Sequence, residues 1–325
     1  MRWEGAAVRS KPSWGTGLAT RFTVMLVRMI RASLAIVAAL AATASIAAAA
    51  TGYQLAPFKD DLFKYPAILE TQDGGNYVLV DYSKQRDLYG RDTIVEKQAK
   101  PEYVSPVGAA TYEYEGVAGG TLRYMGTGKV QGGAKAVVIY IHGMNGSRVQ
   151  GVDEGMFGGN FNRIMNLMKL NDGAYLSPDF SDFGPQGAAD IGSLIREQAQ
   201  RSPNAAIFIA CGSWGGAICW QLAADPKAVA HIAGLLLLGS NHDDRFITSA
   251  AVAGKGRRFP VYLGHGTADP IYGWKDEVAF YNKVRAANPN YPIKVAIFDS
   301  GVHGTPIRMT DWRLILNWML QVDGR

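Results

Sequence analysis

Cysteine and histidine are scarce in this chain: two cysteines, Cys211 and Cys219, and five histidines among 325 residues. Two cysteines exclude the disulfide framework on which small secreted domains depend. Cys211 ends an apolar strand-like run and Cys219 lies in the helix-like run after it. A packed strand and helix hold their backbones about 10 Å apart, beyond the roughly 7 Å Cα limit for a bridge, so two buried thiols are expected. Charge of one sign is also lacking where a nucleic-acid binder needs it. The formal net charge is +5, but the first fifty residues carry Arg2, Arg9, Lys11, Arg21, Arg28 and Arg31 against Glu4 alone, which leaves 27 basic and 27 acidic residues in the remainder. The basic excess belongs to the N-terminus, and no nucleic-acid partner is expected.

A long, strongly apolar run is missing as well. The run Leu34 to Ala42 is short and alanine-rich, below the roughly 20 apolar residues that span a bilayer. With Arg28 and Arg31 before it and the small residues Ser45 to Ala50 after it, this segment reads as a secretory signal peptide cleaved near Ala48 or Ala50. The expected location is periplasmic or secreted, with no stable membrane anchor after cleavage. Residues ahead of Met25 or Met29 are superfluous for export, so translation is expected to begin at one of these.

What is present is a core's worth of apolar sequence, 48% of the residues. From Ala136 onward, short apolar runs alternate with helical patterns, the signature of a parallel sheet with crossover helices. Strands are predicted at Val137 to Ile141, Gly173 to Leu176, Ala206 to Ala210, Gly234 to Leu238, Val261 to Gly264 and Lys294 to Phe298. Helices are predicted at Asn160 to Leu170, Ala188 to Gln200, Gly216 to Ala224, Lys275 to Ala287 and Thr310 to Val322. The expected fold class is α/β, a mostly parallel, doubly wound sheet with helices on both faces. Three segments follow: residues 1–50, signal peptide with an upstream over-extension; 51–134, a β-rich extension that includes the first hairpin of the sheet; 135–325, the catalytic core. Within the extension, Thr111 to Tyr124 reads as a β-hairpin. The charged, unpatterned stretch Tyr82 to Pro101 reads as a solvated loop or arm.

Ser213 carries the most chemical information. The apolar run from Ile207 ends in Cys-Gly-Ser-Trp-Gly-Gly216, and a helix-like stretch follows at once. A serine held at such a strand-to-helix corner has the geometry of a nucleophile elbow, and the flanking positions Cys211 and Gly215 must be small because strand and helix converge there. Acyl transfer by serine also needs a base, an acid to orient that base, and donors for the oxyanion. His303 follows the last predicted strand. Asp269, in Gly264-His-Gly-Thr-Ala-Asp-Pro270, follows the strand before it. The turn His142-Gly143 after the strand Val137 to Ile141 supplies a close backbone approach, with the N–H groups of Met144 and Trp214 as oxyanion donors.

These four motifs, in the chain order Ser, Asp, His and each at a strand end, resemble the α/β-hydrolase superfamily over roughly Ala136 to Val322. The resemblance implies a serine hydrolase with Ser213 as nucleophile, His303 as base and then acid, and Asp269 as its orienting partner. The Gly-Thr-Ala-Asp-Pro loop and the lack of a long insertion look most like the small, uncapped, dienelactone-hydrolase and carboxylesterase-like group. Serine at 213 departs from dienelactone hydrolase, which uses cysteine, and favours ester chemistry.

The remaining candidates read more plainly. His142 and His265 are expected to brace their loops, and His231 to lie on the surface. Asp243 and Asp244, with His242, follow the strand ending near Gly239 and are second choices for the triad acid; adjacent residues rarely converge on one metal ion. No metal and no cofactor are expected. Trp214 is expected either to wall an acyl pocket or to pack under an N-terminal loop. Phe180, Phe183, Tyr272 and Trp274 are expected to pack, and Asp179 and Asp182 to be loop acids.

The resulting expectation is an exported serine hydrolase that cleaves carboxylic esters through an acyl-enzyme, on a small-molecule or glycan-linked substrate. The rival readings are a peptidase or amidase on the same triad, and a non-catalytic hydrolase-like binding protein. The short connection from Gly239 to Val261 leaves no room for a helical lid, so the site is expected to be open or covered only by the extension.

Overall fold

The computed structural model describes residues 52–94 and 98–324; the signal-like segment, Met25 and Met29 lie outside them. Among the described residues, no helix is long and apolar enough to cross a membrane.

Ten strands form one sheet. In chain order they are β1 (Ile68–Gln72), β2 (Tyr77–Val80), β5 (Ala110–Glu115), β6 (Thr121–Gly128), β7 (Ala136–Ile141), β8 (Ala174–Pro178), β9 (Ala206–Gly212), β10 (Ile232–Leu238), β11 (Val261–Gly266) and β12 (Ile293–Phe298). A separate ribbon pairs β3 (Asp92–Ile94) with β4 (Gln98–Ala99). The order across the large sheet is β1-β2-β12-β11-β10-β9-β7-β8-β6-β5. Strands β2 through β8 in that order run parallel, whereas β1, β6 and β5 are antiparallel to their neighbours.

Central strands buried on both faces must be apolar at every position, and β7, β9 and β10 are buried throughout. Alternation sends their side chains to two separate cores: Ile207, Ile209 and Cys211 to one face, Ala206, Phe208 and Ala210 to the other. The helices Pro185–Arg201, Gly216–Ala224 and Trp274–Ala287 contribute Leu194, Ile218 and Phe280 to the first core. Asn160–Leu170 and Trp312–Asp323 contribute Phe161 and Leu316 to the second. The helix expected at Thr310 to Val322 forms at Trp312–Asp323, capped by the Asp311 carboxylate on Leu314 N–H, and a short helix not expected from the sequence, Thr305–Met309, precedes it.

The region before Ala136 closes both edges of the sheet. β1 and β2 extend it beyond β12, and the β5–β6 hairpin extends it beyond β8. Two expectations need correction. The stretch Tyr82 to Pro101 is not a solvated arm: Leu88, Asp87, Arg91 and Asp92 are buried. Arg91 lies between the rings of Phe63 and Tyr103, its guanidinium carbon 4.8 and 5.1 Å from their centroids. Arg308 from the helix after β12 grips the Asp92 carboxylate with two bonds of 3.1 and 2.9 Å. Asp87 is paired locally with Arg86, whereas Asp92 and Arg91 find their partners, Arg308 and the carbonyls of Gly158 and Arg308, far away in sequence, a relationship that local sequence does not display.

The second correction concerns the cysteines, which form the bridge Cys211–Cys219 with a Cα separation of 6.3 Å. The spacing of about 10 Å holds where a strand and helix pack side by side. Here both residues lie close to the corner at which the helix turns off the strand, so the backbones have not yet diverged.

Candidate active site

The sheet order places the site. From β7 the chain adds β8 on one side and then returns to add β9 on the other, so the switch in direction lies between β7 and β9. Loops leaving the C-terminal ends of these two strands separate there and open a crevice. The loop after β7 carries Gly143 and Met144; the corner after β9 carries Ser213.

Ser213 has φ 51°, in the left-handed region, and is followed directly by the short turn Ser213–Gly215 and the helix Gly216–Ala224. A non-glycine residue in this region is strained, and such strain at a corner exposes the side chain. The corner is tight. A Cβ on Gly215 would stand 2.7 Å from the Ile141 carbonyl oxygen, and one on Gly143 would stand 2.9 Å from Ser213 Cβ. Both positions therefore admit only glycine, a tighter limit than the small residue expected at Gly215 from the sequence. Cys211 points inward below the turn, fully buried.

Three strand ends converge on the serine. His303 Nε2 lies 2.8 Å from Ser213 Oγ, and His303 Nδ1 lies 2.8 Å from Asp269 Oδ2. Burial pushes the Asp269 carboxyl up, but hydrogen bonds from His303 and from the Ile271 and Tyr272 amides outweigh it and hold the group below the usual carboxylate range. An ionised acid at Nδ1 fixes the imidazole with its proton on that side, leaving Nε2 free to accept from the serine hydroxyl. The Trp214 N–H lies in the first turn of a helix, where backbone donors have no intrahelical acceptor.

The other sequence candidates are spread around this centre. His142, its imidazole held neutral by burial, donates Nδ1–H to the Gly143 carbonyl at 2.8 Å and stacks on Phe180, with Phe183 edge-on. His265 is buried and bonds the Tyr272 carbonyl at 2.9 Å. His231 is half-buried beside β10. His242 faces Glu277 at 3.3 Å and stacks on Phe280. Asp243 caps its own turn and binds Arg245, and Asp244 binds Lys283. Neither acid reaches His303. Asp179 pairs with Arg148, and Asp182 accepts from the Gly184 and Gly187 amides ahead of a helix. Trp214 does not pack under a loop of the extension: its side chain is exposed beside Ser213. Tyr272 stands beside the His303 ring, and Trp274 packs on the core.

One feature escaped the sequence reading. A cavity of about 520 Å³ opens beside His303, walled by Val302 and Arg308, by Tyr82 and Leu88 from the extension, and by Met156 and Phe157 from the loop after β7. Phe157, at φ 51°, begins a left-handed run with Gly158 and Gly159. Met-Phe-Gly-Gly was the available signal, since paired glycines mark a backbone that must turn against the normal hand.

No protein-family model matches the chain, and no curated protein matches it. Among solved structures, an esterase of Pyrococcus furiosus is similar with a TM-score of 0.50 at 14% identity, over 71% of this chain and 98% of that one. Esterase 2 of Thermogutta terrifontis, solved in a form phosphorylated by paraoxon, is similar with a TM-score of 0.47 at 14% identity, over 66% of this chain and 91% of that one. The strand order, the site at the switch point between β7 and β9, and the first of these likenesses agree: the chain has the α/β-hydrolase fold.

Proposed function

We propose that the protein is an exported serine hydrolase that cleaves carboxylic esters, borne on a small molecule or a glycan, through an acyl-enzyme. The observation that carries this reading is the unbroken hydrogen-bonded line from Ser213 Oγ through His303 to Asp269, each link 2.8 Å. In the reaction, Ser213 Oγ attacks the ester carbonyl as its proton passes to His303 Nε2. The tetrahedral oxyanion is taken by the N–H groups of Met144 and Trp214, and the alcohol leaves with the proton returned by His303. Water, deprotonated by the same imidazole, then attacks the acyl-enzyme and releases the acid. Asp269 holds the imidazole in place and balances its transient charge.

Export is supported by the signal-like N-terminus and by the Cys211–Cys219 bridge, since disulfides persist in oxidising compartments. The test is hydrolysis of p-nitrophenyl acetate together with fluorophosphonate labelling. The wild type is expected to hydrolyse the ester and take the label at Ser213, and Ser213→Ala to do neither. Equal activity in the two proteins overturns the reading.

A further inference from the structure

Each loop that brings a group to the site also presents a large apolar side chain to solvent. Met144 and Trp214, the two proposed oxyanion donors, are 58% and 43% exposed; Ile271, two residues after Asp269, is 61% exposed; Val302, next to His303, is 38% exposed. Val149, further along the loop after β7, adds a fifth. These come from loops after four different parallel strands, β7, β9, β11 and β12, so they share the edge of the sheet that carries the serine and do not merely follow one another along the chain. Isolated exposed apolar residues are ordinary, but a set gathered around a reactive centre marks a binding surface.

Charge is sparse on the same loops. Across residues 143–149, 213–216, 267–274 and 299–305, the Lys, Arg, Asp and Glu residues are Arg148, Asp269 and Asp299. Arg148 is neutralised by Asp179, and the Asp269 side chain is fully buried against His303. The cavity beside His303 is also largely apolar, through Val302, Met156, Phe157 and Leu88, and the one cation in its wall, Arg308, is paired with Asp92. Whatever covers the collar must also offer a scissile bond to Ser213, because the serine lies at its centre.

We propose that this collar seats the protein on a water-insoluble, uncharged ester, with the extended apolar group of the substrate lying over Met144, Trp214, Ile271 and Val302. The inference rests on the serine-hydrolase reading and adds the physical state of the substrate to it. Apolar surface gains free energy in proportion to the area it removes from water, and a dissolved short ester covers too little of the collar to provide that gain.

The test separates binding from turnover. Ser213→Ala protein is mixed with tributyrin droplets and the droplet-bound fraction is measured after flotation. The expected result is clear partitioning that falls at least fivefold when Val149→Asp is added. Leu314→Asp, on the helix Trp312–Asp323 and equally exposed at 53% against 54%, is expected to leave partitioning unchanged. With the active protein, the tributyrin rate is expected to rise steeply above the solubility limit, and Val149→Asp is expected to lose that rise. Activity on the dissolved ester without droplet partitioning overturns the collar and leaves the hydrolase reading intact. Partitioning without activity or fluorophosphonate labelling does the reverse. A Val149-dependent dimer with partitioning unaffected by Val149→Asp also overturns the proposal, because the collar would then cover a second copy of the chain.

Discussion

Ser240 Oγ donates a 2.7 Å hydrogen bond to the carbonyl oxygen of Ser213. The bond ties the end of β10 to the corner that follows β9, and so holds the residue whose backbone is strained at φ 51°. Ser240 touches no reacting atom; it acts by positioning the corner. Ser240→Ala removes a hydrogen bond worth about 1 kcal/mol, which corresponds to roughly fivefold in rate if the strain is no longer opposed. The expected outcome is a lower kcat at unchanged KM on p-nitrophenyl esters. Ser240→Thr, which keeps the hydroxyl, is expected to recover part of the loss.

Asp269→Asn keeps the shape of the loop but replaces the acceptor that fixes His303. The wrong imidazole tautomer then faces Ser213, and kcat is expected to fall by roughly 10³ to 10⁴. Asp243→Asn is expected to leave kcat within twofold, because that carboxylate serves Arg245 and not the imidazole. Steady-state kinetics on the two variants decide between the acids; a large loss in Asp243→Asn would reverse the assignment.

The bridge joins Cys211 and Cys219, eight positions apart, and closes a loop that contains Ser213. Chain-entropy arguments give about 2 to 3 kcal/mol for a loop of this size. The double variant Cys211→Ala, Cys219→Ala is expected to lower the urea midpoint by that amount of stability, and to reduce kcat more than the fall in stability explains, since the loop contains the serine. An unchanged midpoint would show that the pair contributes nothing to the folded state.

His242 gives a pH dependence of stability. Its hydrogen bond with the Glu277 carboxylate raises its affinity for a proton, against the opposing effect of burial. A folded-state pKa above the unfolded value means that the contribution is fully present below about 6.5. It is lost as pH rises through the raised folded value. Thermal unfolding is therefore expected to show a lower Tm at pH 8.5 than at pH 6, with a smaller difference in His242→Gln.

The central strands were legible because burial on both faces leaves only apolar residues, and their ends fell within two residues of those expected. Ser213, Asp269 and His303 were legible because each follows directly on such a strand. The stretch around Arg91 was not. Arg91 and Asp92 are accommodated by Arg308, Met309 and Gly158, residues far away in sequence, and no local pattern records such partners. The disulfide escaped for a related reason: its feasibility depends on the angle between strand and helix at the corner, which residue types do not specify. The cavity beside His303 joins the extension to the loop after β7, so it exists only once both are folded.

Strand β12 lies between β11, from late in the chain, and β2, from near the start of the described residues. The final strand is thus enclosed by one of the first. His303, just beyond β12, stands at Ser213 once this last strand is in the sheet. Pairings this distant in sequence are among the slow steps of folding. A partly synthesised chain that lacks β12 lacks His303 as well, so the line from Ser213 through His303 to Asp269 is completed only with the last strand.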